Sequence, residues 1–208
     1  MRQARVISFL MSFLVLTIVP SVFADAPVEG RIGRAEVRFM EGMIDHHQMA
    51  IDMANDCLER EVSDALNAEC QAVVDAQQPE IEQMQAWLLA WYNVQYAPMP
   101  MSESMSSGMA GMDHSGMNMS GMPATDPAMM MGMFAGFNRL EGVDYEIAWL
   151  ESMIDHHDDA IHMSQRLLER DTNSIGHAEL RQLAQNIIAA QSEEIAHYEE
   201  MIITMNAG

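Results

Sequence analysis

The chain has no lysine, and ten arginines face 31 carboxylates, for a formal net charge of -21. Nucleic acid and anionic membranes both need a basic face, so this balance excludes them as partners. It suits a protein that attracts cations, although acidity also serves solubility alone. Long apolar runs are missing too. After residue 24 no stretch approaches the roughly 18 uninterrupted apolar residues of a membrane span. Cysteine is scarce: Cys57 and Cys70 are the two in the chain.

What is present begins with a leader. Arg2 and Arg5 precede an apolar stretch from Val6 to Val19, Pro20 breaks it, and Val22-Phe23-Ala24 has small residues around a cleavage point. Residues 1–24 are therefore expected to be a secretory signal cut after Ala24. Cleavage would remove two arginines and no carboxylate, leaving a charge of about -23. In an oxidising compartment an even cysteine count points to a disulfide. A turn near Ser63 would set Cys57 and Cys70 almost level on antiparallel helices.

Residues 40–53 read M-E-G-M-I-D-H-H-Q-M-A-I-D-M, and residues 150–163 read L-E-S-M-I-D-H-H-D-D-A-I-H-M. M-I-D-H-H thus recurs after 110 residues, which points to a repeated architecture. Around each copy the apolar residues follow a helical period. Val37, Met40, Ile44, His47, Ile51, Ala54 and Leu58 share a face, as do Ile147, Leu150, Ile154, His157, Ile161, Ser164 and Leu168. Second helices follow in both halves, one carrying Leu66 to Trp91 and the other Leu180 to Met205. Ser63 and Ser174 are the expected N-caps, and Pro79 is expected to kink its helix. The segments are a signal peptide (1–24), a first helical hairpin (25–96), a Met-rich linker (97–133) and a second hairpin (134–208). One such hairpin cannot bury its apolar face alone. Two facing each other, within one chain or between subunits, make an all-α four-helix bundle.

The candidate metal ligands cluster on the repeat. Met43, His46, His47, Ala50 and Met53 lie on about one-third of the helix circumference, and Met153, His156, His157, Ala160 and Met163 do the same. Asp45 and Asp155 point the other way. His47 and His157 fall in mid-stripe; His46 and His156 fall on its flank and are expected to be the more accessible pair. Gln77 and Gln191 also interrupt apolar stripes. A satisfied core His–Gln pair is one reading, and a Gln that orients a ligating imidazole is another. The linker is expected to be disordered and holds 12 of the 23 methionines. Met109, Met112, His114, Met117, Met119 and Met122 there carry spacings that let one loop wrap a soft ion. Imidazole and thioether together suit copper, with Cu(I) and Ag(I) preferred by the sulfurs. Glu194 and His197 make one E-x-x-H, where the first hairpin has Glu80 and Gln83.

These residues resemble a known family. The repeated M-I-D-H-H-x-x-A-I-x-M is preceded by Glu36/Phe39 and Glu146/Trp149, and followed by Gln77-Glu80-Ile81 and Gln191-Glu194-Ile195. This is similar to a bacterial exported family catalogued as a domain of unknown function. The resemblance implies a ferritin-like four-helix bundle and, because the family includes periplasmic copper-binding proteins, a copper role. The family's Met/His set falls on Met43, His46, His47, Met53, Met153, His156, His157 and Met163. Gly42 and Ser152 stand where the family often has a second Met, and Asp45 and Asp155 where it often has Pro. The expectation is a periplasmic, non-enzymatic protein that sequesters or chaperones Cu(I), with Ag(I) and Cu(II) as further ions. Its partners would be copper ions and a copper exporter or another periplasmic copper protein. A ferritin-like metal oxidase using Glu146, Glu194 and His197 is the rival, and a metal-free structural bundle is the third reading.

Overall fold

The structure, a computed structural model, describes residues 26–98, 135–169 and 176–207. Four long helices make up most of it: α1 (Gly30–Leu58), α2 (Asp64–Tyr92), α3 (Gly142–Glu169) and α4 (Ala178–Asn206). The expected leader and residues 99–133 of the linker lie outside the described residues. α1 pairs with α2, α3 with α4, and the two hairpins join through α1 and α3 within the one chain. The all-α bundle expected from the repeat is present, and no described helix is long and apolar enough to cross a membrane.

Local chemistry sets the turns. Ser63 precedes α2 and its hydroxyl accepts from the Leu66 N–H at 3.2 Å, a side-chain cap worth about 1 kcal/mol. α2 continues through Pro79, which sits on an exposed face where water can reach the carbonyl it leaves unbonded. It ends at Asn93, which takes the left-handed conformation (φ 54°) that asparagine tolerates. The N-cap of α4 is His177, not Ser174, which lies outside the described residues. His177 is the positional counterpart of Ser63, and its side chain makes no cap bond to its own helix.

The core forms two apolar clusters. One gathers Met40, Met43, Ile44, Ile81, Met84, Leu88, Leu180, Ala184 and Ile187. The other gathers Met53, Cys57, Leu66, Cys70, Trp149, Leu150, Met153 and Tyr198. Along α1 and α3 the paired histidines fall between residues of one cluster and residues of the other. At one end of the bundle, Val28 is pinned between two glycines. A Cβ on Gly33 would stand 1.7 Å from the Val28 carbonyl oxygen, and one on Gly176 would stand 2.0 Å from a Val28 methyl. Only glycine lets the 26–29 segment cross there.

Cys57 and Cys70 form the expected disulfide, with Cα atoms 6.3 Å apart. Their counterparts in the second hairpin are Leu167 and Ala184, which pack as ordinary core. Replacing Cys57→Leu and Cys70→Ala therefore copies a packing the protein already uses and removes only the cross-link. A loop of this length should cost about 3 kcal/mol to release. Urea denaturation of the double variant measures it. Two reactive thiols in the unreduced, denatured parent would refute the bond.

Candidate metal centre

α1 and α3 run antiparallel and cross where each carries the repeated motif. His46 and His156 meet at that crossing with ring centroids 3.7 Å apart. The His156 Nε2–H donates to the His46 carbonyl at 2.8 Å; a carbonyl only accepts, so this nitrogen carries the proton. Both side chains are buried, at 0% and 4% exposure. The flank of the stripe is thus no more accessible than its centre, contrary to the sequence expectation. The flank of α1 is covered by α3, and the reverse, which single-helix periodicity does not register.

Burial pushes His46 and His156 well below the ordinary imidazole range. For His46 the neighbouring His156, His47 and His157 add to this; for His156, His157 and then His47 do. Both are neutral at pH 7, the form whose lone pair binds a metal.

His47 and His157, both 0% exposed, are held differently from that expected. The His47 Nε2–H donates to Glu80 Oε2 at 2.7 Å. His157 Nε2 lies 2.8 Å from Glu194 Oε2, off the axis that a hydrogen bond requires. Gln77 and Gln191 are buried, yet neither side-chain oxygen has a partner. The His–Gln contact of those sequence readings is therefore replaced by His–Glu. Each Glu follows its Gln by three residues, close to one helical turn, so it shares that face. A carboxylate also outcompetes an amide as acceptor. The sequence pattern marked both glutamates, in the E-x-x-H comparison and in the downstream family motif, without pairing either with a stripe histidine.

The result is a layer of underused imidazoles. Nδ1 of His47 and His156 and both nitrogens of His46 and of His157 have no hydrogen-bond partner. Each buried orphan of this kind costs about 1–3 kcal/mol. Thioethers share the seam: Met43, Met53 and Met153 are fully buried, and Met163 partly so. The two halves differ at the last. Trp149 donates its indole N–H to the Met53 carbonyl at 3.1 Å and shuts that side. On the other side Phe39, with no such donor, lines a pocket of about 240 Å³ together with Met163. Among the described residues no three His, Cys, Asp or Glu side chains converge on one point. The donors that the fold brings into one seam are imidazole and thioether, a set suited to copper and silver. Met109, Met112, His114, Met117, Met119 and Met122 lie outside the described residues.

The acid of each repeat has a separate task. Glu36 of α1 accepts from the Gly176 N–H (2.6 Å), the His177 N–H (3.2 Å), His177 Nδ1 (2.6 Å) and the Tyr92 hydroxyl. Glu146 of α3 accepts from the Ser63 N–H and hydroxyl, both at 2.7 Å. Each hairpin thus supplies the carboxylate that holds the start of the other hairpin's second helix, where backbone N–H groups and the helix dipole favour an anion. Glu146 is occupied in this way. His197 is half exposed beside Glu69 at 3.1 Å. With Glu194 near His157, the three residues of the oxidase reading stand in three different settings.

Fold and seam define a class: four-helix proteins made of two hairpins, with paired Met/His motifs facing each other across the middle. The family model described as "Domain of unknown function (DUF305)" matches residues 36–202, and the chain belongs to that family. No curated protein matches. Among solved structures, CopM in its Cu(II)-bound form is similar at 26% identity, covering 81% of this chain and 96% of that one, with a TM-score of 0.57. CopM has also been solved in Cu(I)-bound and Ag-bound forms, at 21% identity and TM-scores of 0.58 and 0.57. A DUF305 fragment from Deinococcus radiodurans matches at 24% identity and TM-score 0.60, covering 85% and 97% of the two chains. A DUF305 protein from Streptomyces coelicolor, described as secreted, matches at 22% identity and TM-score 0.59, covering 83% and 94%.

Proposed function

We propose that this is an exported copper-binding protein that sequesters or chaperones Cu(I), in copper homeostasis or resistance. The observation that carries the reading is the seam: neutral, buried imidazoles with unpartnered nitrogens, on the same helix faces as buried thioethers. Such groups burden an empty fold and become useful when a soft cation takes their lone pairs. Similarity to CopM, solved with copper and silver bound, supports it. The linker methionines would add a collecting segment with several sulfurs. An exporter or another copper protein would receive the ion. Export is supported by the leader-like first 24 residues and by the relative described as secreted. Binding rather than oxidase catalysis is the favoured activity, because Glu146 is committed to Ser63.

The test is a Cu(I) titration against a competing chelator, on the full chain and on a variant with residues 99–133 replaced by a Gly/Ser segment of equal reach. Both should bind and both should melt higher with Cu(I), since a ligand preferring the folded state stabilises it by about 4 kcal/mol at a thousand times its Kd. The variant should keep its helicity and bind fewer ions. A linker-free protein without any copper-dependent thermal shift would refute the bundle as a copper site. Equal stoichiometry in the two proteins would refute the linker as a collector.

A further inference from the structure

The orphaned nitrogens are not scattered at random around the rings. His47 gives Nε2 to Glu80, and His156 gives Nε2 to the His46 carbonyl. His157 turns Nε2 to within 2.8 Å of Glu194. In His47 and His156 the nitrogen left buried without a partner is Nδ1; in His157 both nitrogens lack a hydrogen bond, and Nε2 is the one beside the Glu194 carboxylate. In His47 and His156 the acceptor at Nε2 fixes the Nε2–H tautomer and puts the lone pair on Nδ1; in His157 the Glu194 carboxylate favours the same tautomer by proximity. Glu80 and Glu194 occupy matching places on α2 and α4, and each is only partly buried, at 29% and 17% exposure. Each therefore stands between a fully buried imidazole and solvent.

We infer that Nδ1 is the ligating atom of His47, His156 and His157, and that Glu80 and Glu194 are positioning residues that set this choice for His47 and His157. The inference rests on the copper reading of the bundle and deepens it. Neither Glu need touch the ion. An ionised carboxylate on the far side of an imidazole orients the ring, makes Nδ1 more basic and offsets the positive charge shared with the metal. His156 gets its orientation from a backbone carbonyl instead, which makes it the least adjustable of the three.

The experiment is ring ¹H–¹⁵N correlation spectroscopy on the full chain with ¹⁵N-histidine, before and after Cu(I), which is diamagnetic. Before copper, His47 and His156 should show the Nε2–H tautomer. On addition, the Nδ1 resonances of His47, His156 and His157 should move. In the double variant Glu80→Leu/Glu194→Leu, His47 should lose its tautomer preference and the affinity read at the rings should fall about 10- to 100-fold. Glu80→Gln/Glu194→Gln keeps an acceptor oxygen without the charge. It should restore the tautomer and only part of the affinity, which a purely structural role for the two glutamates would not produce. Copper shifts at Nε2, or undiminished affinity in the leucine variant, would overturn the assignment alone. If no imidazole of the wild-type chain responds to Cu(I), the copper reading of the bundle falls and the assignment falls with it.

Discussion

Glu36→Ala should destabilise the protein by about 3–5 kcal/mol, because it leaves several buried donors without their shared acceptor, each costing about 1–3 kcal/mol. The Glu36 carboxylate is itself wholly buried and accepts from two backbone N–H groups, one imidazole and one phenol. His177 lies face to face with Trp91, ring centroids 3.7 Å apart, so water has little room to replace the missing acceptor. Glu146→Ala is the natural control, because Glu146 does the same for Ser63. Ser63 is exposed, so water can take over there, and about 1–2 kcal/mol is expected from the lost hydrogen bonds alone. Glu36→Gln should recover part of the loss, since its amide oxygen still accepts from the backbone. Urea denaturation of the three variants measures the order. Equal losses at the two glutamates would show that burial of the Glu36 network carries no extra energy.

The second large effect has the opposite sign. Replacing His46→Leu and His156→Leu should raise the stability of the metal-free protein by about 1–3 kcal/mol, because leucine is close in volume and removes three unpartnered ring nitrogens at the loss of one hydrogen bond. It should also abolish the copper-dependent rise in melting temperature that persists without the linker. The pH profile separates this from ordinary repacking. Both imidazoles sit below their usual value of 6.5 in the fold, so the unfolded chain binds more protons than the native one between the folded value and 6.5. Their neutral burial therefore costs nothing further above about pH 6.5, and stability falls as pH drops below it. The leucine variant should lose that slope, so its advantage should widen from about pH 7 to about pH 5. A variant that is less stable at every pH and keeps the copper shift would mean that the two rings are satisfied core and that the metal sits elsewhere.

The two glutamates of the first prediction and the two histidines of the second show where sequence reasoning stopped. Both pairs belong to the repeated motif, and both stood out as patterns. A 3.6-residue period is enough to say that Met43, His46, His47 and Met53 share a face, and all four are buried. Spacing about a turn was enough to pair Cys57 with Cys70. These are properties of one helix or one hairpin, set by backbone geometry over a few residues. His46 and His156, however, were read as the accessible flank and turned out to be as enclosed as the stripe itself. Glu36 was a motif letter with no task, and Glu146 was read only as a ligand of the rival oxidase.

Length, repeat, helix faces, turn positions and the soft-donor character of the ligand set were therefore determined by the amino-acid sequence itself, because each rests on local periodicity and side-chain chemistry. The tertiary structure alone decided that α1 crosses α3 at His46 and His156, that Glu80 and not Gln77 holds His47, and that each hairpin caps the other's second helix. Those contacts join residues 33 to 141 positions apart. Which of several buried polar groups meet at such separations depends on how two hairpins pack, and no local period encodes it.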